Sequence, residues 1–240
     1  MTLSALLVGS SVVLYIAQIA IFHRTEDTFF YLLQDIAFVP IQVLLVTLVI
    51  ARLLHETEKR ALMKKLNMLI GAFYSEIGTD LIRRLSLSNP GAAGPATHLL
   101  VRADWSHKDF SNAMRFVQTL DPGLNSRKTD LIKLKGLLES KRNFLLGLLA
   151  NPTLLEHDTL TDLLWAVLHL SEELSARHSL ADLPESDYDH LTGDLERAYV
   201  QVLAQWLSYM RHLKEDYPFL FSLAVRTNPM DADANPVVKQ

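Results

Sequence analysis

The chain has 240 residues, 49% of them hydrophobic, with 23 Lys and Arg against 27 Asp and Glu, a net charge of -4 at pH 7 and no cysteine. The lack of thiols excludes a disulfide framework, a thiolate metal site and a cysteine nucleophile. The acidic balance past Asp104 gives no electrostatic footprint for nucleic acid, and no nucleic-acid partner is expected.

Residues 3–22, LSALLVGSSVVLYIAQIAIF, form the first apolar run and are long enough to cross a bilayer core of about 30 Å as a helix. No basic region precedes the run and it is too long for a signal-peptide core, so a transmembrane span is the reading. Ala5, Gly9 and Ala17 fall on one helix face, where small side chains would let another membrane helix approach closely. His23 to Thr28 is a polar turn, and residues 29–51, FFYLLQDIAFVPIQVLLVTLVIA, form a second span. Two spans joined by a short turn predict a transmembrane hairpin over residues 1–51.

The second span holds one ionisable residue, Asp35, and one backbone breaker, Pro40. A carboxyl inside a span is costly and counts as a functional clue. Gln34 adjoins Asp35, and Gln42 stands one heptad along on nearly the same face. Counted from the outer ends of the spans, Asp35 lies ~9 Å deep and Gln18 ~6 Å deep, which makes Gln18 the expected hydrogen-bond partner. Pro40 frees the carbonyl of Ile36, kinks the helix and is the candidate hinge.

Arg52, Lys59, Arg60, Lys64 and Lys65 follow the second span. They suit an anionic lipid surface and, by the positive-inside rule, place both termini in the cytoplasm at the cell's inner membrane. Residues 52–86 contain no proline and repeat Leu62, Leu66, Leu69, Phe73, Ile77 and Leu81 at threes and fours, which predicts an amphipathic stalk helix continuing the span. Gly71 and Gly78 weaken it or admit a partner helix. Ser88 to Pro95 is a Pro/Gly-rich loop.

Residues 97–226 read as a cytoplasmic helical domain. Ser106 caps its first helix with Asp109 three positions on, and Asp121-Pro122-Gly123 ends that segment. Further helices are expected over 129–150, 160–177 and 186–215, and the apolar run 219–225 follows Tyr217-Pro218. Trp165, Trp206 and the run Tyr217 to Phe221 are expected in its core. Residues 227–240 are polar with two prolines and are expected to be disordered. The predicted fold class is all-α: a two-helix transmembrane hairpin, a stalk helix and a helical bundle.

No phosphate-binding loop, zinc-protease motif or nucleophile elbow occurs, and the chain reads as a non-enzyme without a cofactor. His169 with Glu172 and Glu173, Asp187 with His190, and His157 between Glu156 and Asp158 have ligand-like spacings. The Glu-x-x-His order of helical di-metal proteins is missing, so no metal is assigned. The leading functional expectation is a homo-oligomeric ion channel or pore, lined by Asp35, Gln34 and Gln42 with Gln18 in the same polar cluster, and assembled or gated by the cytoplasmic domain. The alternative is a membrane-anchored adaptor or sensor whose helical domain binds a cytoplasmic protein partner. Lipid is a partner in both.

Overall fold

A computed structural model describes residues 2–22, 25–88 and 98–238. Every regular element among them is helical. The chain divides into two compact units, Met1–Ala61 and Leu62–Gln240.

The first unit contains α1 (Thr2–Phe22) and the first part of α2 (Thr25–Phe73). Helix α2 begins at Thr25, inside the expected polar turn, because Glu26 and Asp27 in its first turn complement the positive end of the helix dipole. The remaining turn residues, His23 and Arg24, lie outside the described residues. Pro40 sits within α2, and the backbone is helical without interruption from Thr25 to Leu87.

The apolar side chains of this unit face outward. Val43, Leu44, Leu45, Val46, Leu48, Val49 and Ile50 are all more than half exposed. By length and composition, one helix among the described residues could cross a membrane, and its most apolar part buries nothing inside the chain. A shorter apolar helix covers Val8–Ile21.

The second unit is built around α7 (Glu185–Asp216), which packs against α6 (Asp158–Ala176), α4 (His107–Gln118), α8 (Pro218–Arg226) and α3 (Thr79–Leu87). Helix α5 (Leu131–Leu149) covers the far side of α6. The heptad-like spacing of Leu191, Leu195, Ala198, Val202 and Trp206 gives α7 a continuous buried face. The expected capping box at the start of α4 is present: the Ser106 hydroxyl accepts from the Asp109 backbone N–H, and the Asp109 carboxylate accepts from the Ser106 N–H at 2.7 Å. The Ser106 hydroxyl, which donates to Asp109 Oδ2 at 2.7 Å, and then the Ser106 N–H hold the Asp109 carboxyl below its usual range.

Three features depart from the sequence reading. The expected stalk, read as an element separate from the helical domain, joins it: Leu66, Ile70, Phe73, Ile77, Leu81 and Leu85 are buried in the second unit. It also changes winding, through a π-helical turn at Tyr74–Gly78. The tail, expected to be disordered, is tied down through Pro236. Asn228 is fully buried, Met230 packs against the core, the Asn235 N–H donates to the Arg226 carbonyl, and Arg226 Nε donates to the Pro236 carbonyl. Its polarity misled because side-chain-to-backbone turns, such as Met230 N–H to Asn228 Oδ1, satisfy the backbone locally. The aromatic residues divide: Trp206 and Phe221 are buried, whereas Trp165 is 58% and Phe219 72% exposed.

Candidate functional site

In the first unit, the expected polar cluster resolves into one hydrogen bond. Tyr15 Oη donates to Asp35 Oδ2 at 3.1 Å and joins α1 to α2. Gln18, the expected partner, stands one turn further along α1 and is exposed, as are Gln34 and Gln42. Depth does not single out Gln18: counted inward from Phe22, Tyr15 lies ~10 Å along α1 and Gln18 ~6 Å, so Tyr15 is the closer match to the ~9 Å counted for Asp35. Among the small residues, Gly9 is exposed with open space where a Cβ would stand, and Ala17 is half-buried. Ala5's side chain lies outside the described set. Arg52, Lys59, Arg60, Lys64 and Lys65 are all exposed on α2.

The densest chemistry lies in the second unit, where α6 and α7 face each other. His169 and Glu173 stand on α6 at i, i+4, and Asp187, His190, Asp194 and Arg197 stand on α7. Arg177, which follows the last turn of α6, bonds both helices. Its guanidinium donates to Glu173 Oε2 at 2.8 Å and makes two bonds to Asp187, at 2.6 and 2.9 Å. These bonds hold the Glu173 and Asp187 carboxyls below their usual range, chiefly through the Arg177 hydrogen bonds.

Asp194 is 3% exposed. Its Oδ1 accepts from Arg197 Nη1 at 2.7 Å, but its Oδ2 accepts no hydrogen bond. Two imidazoles flank it. His169 Nε2 lies 3.5 Å from Asp194 Oδ1 and 3.8 Å from Glu173 Oε1. His190 Nε2 lies 3.4 Å from Asp194 Oδ2 and 3.4 Å from Glu173 Oε2. An open groove beside the cluster is lined by Asp162, Trp165, Ala166, His169, Arg197 and Gln201, so the exposed Trp165 borders it.

The i, i+4 pairing of His169 with Glu173 was visible in the sequence. Asp194 and Arg177 were not singled out, because only the α6–α7 crossing brings them to the pair. His157 lies elsewhere and caps α6, its Nδ1 accepting from the Leu160 N–H.

The Arg177 bonds carry a pH signature. A carboxyl whose folded pKa is depressed stabilises the fold above its unfolded pKa, near 4, and loses that contribution as pH falls through the folded value. Wild-type protein is therefore expected to melt at progressively lower temperature as pH drops below about 4. Arg177→Met is expected to melt a few degrees lower at pH 7 and to show a shallower acid dependence. Thermal melts followed by circular dichroism across the acid range check both slopes.

Fold and cluster define the class: an all-α protein that links an apolar N-terminal helix pair to a helical unit with an ion-paired carboxylate–imidazole cluster. Residues 62–226 match the family described as "Uncharacterized protein MJ1433, C-terminal helical domain", and residues 1–54 match "MJ1433, N-terminal helical domain". The chain belongs to the MJ1433 family. It is 40% identical over 225 residues to "Uncharacterized protein MJ1433" of Methanocaldococcus jannaschii, with 94% of this chain and 90% of that protein covered. No solved structure matches it.

Proposed function

We propose that this is an integral membrane protein whose N-terminal hairpin anchors a cytoplasmic, non-enzymatic helical unit that binds a partner, as an adaptor or sensor does. The observation that carries the reading is the exposure of consecutive apolar residues on α2, Val43 to Val46 and Leu48 to Ile50, in a chain whose second unit closes its own core. Apolar surface on this scale calls for an apolar solvent. The basic residues Arg52, Lys59, Arg60, Lys64 and Lys65 then meet anionic headgroups on the cytoplasmic side. Exposed Trp165 and Phe219 supply apolar surface for a partner on the helical unit.

The anchor reading takes precedence over the pore because Asp35 is satisfied by Tyr15 of the same chain, as packing glue between two membrane helices. The pore remains the second reading, favoured by the outward position of Gln18, Gln34 and Gln42, which lipid cannot solvate and a second copy could. In that arrangement Pro40 is the hinge and the face of Ala5, Gly9 and Ala17 meets the neighbouring copy. Reconstitution into liposomes separates the two. The anchor predicts ion flux no greater than in empty vesicles, for wild type and Asp35→Asn alike. Flux that changes with Asp35→Asn, from an oligomer in detergent, would replace the anchor by the pore.

A further inference from the structure

The geometry points to a metal-binding site for a first-row divalent transition cation of the zinc type, held by His169 and Glu173 of α6 and by His190 and Asp194 of α7. It lies wholly within the second unit and stands whether or not the hairpin crosses a membrane.

Three donors converge, and a fourth stands beside two of them. One ligand atom each from His169, Glu173 and Asp194 lies within 4.8 Å of the others. His190 Nε2 adds a fourth, 3.4 Å from a carboxylate oxygen of both Glu173 and Asp194. The carboxylate oxygens that the arginines leave free are Glu173 Oε1, 3.8 Å from His169 Nε2, and Asp194 Oδ2, 3.4 Å from His190 Nε2, so the spacing is 3.4 to 3.8 Å. That is long for a charge-assisted hydrogen bond, which is about 2.7–2.9 Å. It is, however, the spacing of neighbouring ligands around a metal, since a tetrahedron with bonds of about 2.1 Å has edges of about 3.4 Å.

Asp194 supplies the independent observation. It is almost fully buried, and its Oδ2, facing His190, accepts no hydrogen bond. A buried carboxylate oxygen left in this way is costly unless something binds it. A divalent cation, bound by the imidazoles in their unprotonated form, would meet that need.

The arginines act as the supporting shell. Arg197 bonds Asp194 Oδ1 and Arg177 bonds Glu173 Oε2, and each fixes its carboxylate while leaving the other oxygen to the metal. Two imidazole nitrogens beside two carboxylates select zinc, cobalt or nickel over the all-oxygen preference of magnesium and calcium. His169 and His190 are about half exposed, which gives the ion a route in from solvent. The nearby positive charges of Arg177 and Arg197 oppose a cation and set the affinity below that of a fully anionic cage.

The test uses the full-length chain in detergent, purified without a polyhistidine tag and stripped with EDTA. Zn2+ is titrated by calorimetry. Co2+ is titrated in parallel while its visible absorption is followed, because four-coordinate cobalt absorbs far more strongly than hexaaquo cobalt. One equivalent of Zn2+ is expected to bind, to raise the melting temperature and to displace Co2+ from a four-coordinate spectrum. His169→Ala and His190→Ala are each expected to weaken binding by at least about tenfold, whereas His178→Ala binds as wild type. Both ligand histidines are half exposed, so circular dichroism should show the variants folded. If they do not fold, the wild-type cobalt spectrum still decides. A six-coordinate spectrum, no stoichiometric binding, or undiminished binding in the His169→Ala/His190→Ala double variant would overturn the assignment.

Discussion

Phe73→Ala is expected to cost the helical unit about 3–5 kcal/mol, the range for emptying a fully buried aromatic site. Phe73 is 0% exposed and sits at the head of the π turn, with its ring edge-to-face on Tyr74 at 5.2 Å. Tyr74 in turn stacks on Tyr209 at 5.4 Å and donates from its hydroxyl to the Val202 carbonyl at 2.7 Å. Burial, with Tyr209 adding to it, raises the Tyr74 phenol well above its usual pKa, so it stays protonated and donates at any working pH. At the turn the two adjacent rings sit side by side, with Tyr74 held on α7 and Phe73 buried in the core. The turn's extra residue is absorbed by the i+5 bond from the Thr79 N–H to the Tyr74 carbonyl.

Gly78 is the companion requirement. A Cβ there would stand 2.6 Å from Tyr74 Cδ1 and 2.7 Å from Phe73 Cε1, and both rings are locked in the core. Gly78→Ala gains about 1 kcal/mol of helix propensity but forces the rings apart, at about 1–3 kcal/mol. The two substitutions are expected to couple. In the Phe73→Ala background half of the obstruction is gone, so Gly78→Ala should cost measurably less than it does alone. Urea denaturation of the four proteins of this cycle, followed by circular dichroism, measures the coupling. Additive losses would mean that Phe73 and Gly78 do not share the space assigned to them.

The π turn shows where sequence reading stops. The repeat Leu62, Leu66, Leu69, Phe73, Ile77 and Leu81 announces a buried helix face; the structure buries four of the six and leaves Leu62 and Leu69 half-buried. A single extra residue in the winding does not disturb that repeat enough to be seen, because Tyr74 reads as one more apolar neighbour. Leu163, Leu164, Val167, Leu168 and Leu174 likewise share one apolar face at helical spacing on α6 and are buried. Trp165 follows a different rule. It lies between them in sequence but about 160° round the helix from Val167, the middle of that face, and that angle points it to solvent.

The site was legible only in its local half. His169 with Glu173 is an i, i+4 pair and can be read from one helix. Asp194 belongs to a helix one loop later, and its proximity depends on how α6 crosses α7. Tyr15 and Asp35 tell the same story in the first unit: depth could be counted along each helix, but only the pairing of α1 with α2 shows that Tyr15, one turn from Gln18, meets Asp35.

Replacing Val39 and Val43 together by arginine is expected to remove the protein from the membrane fraction. These residues are 46% and 59% exposed and lie at i, i+4 on α2, at the middle of the span 29–51. The same change has opposite consequences in two solvents. On a water-facing helix, a valine-to-arginine change at an exposed site stays within about 0.5 kcal/mol of neutral and improves solubility. At the centre of a span each arginine costs about 2.5–3.5 kcal/mol, so about 5–7 kcal/mol for the pair. A soluble coiled coil cannot mimic this result, because such a helix hides one stripe and shows polar residues elsewhere. Here Val43 through Val46 and Leu48 through Ile50 are apolar all the way round. Wild-type protein should stay in the membrane pellet after alkaline carbonate extraction and need detergent for release, while the double variant should be lost from the pellet. Recovery of wild type in the aqueous supernatant without detergent would mean that something other than lipid covers α2, and the anchor would have to be abandoned.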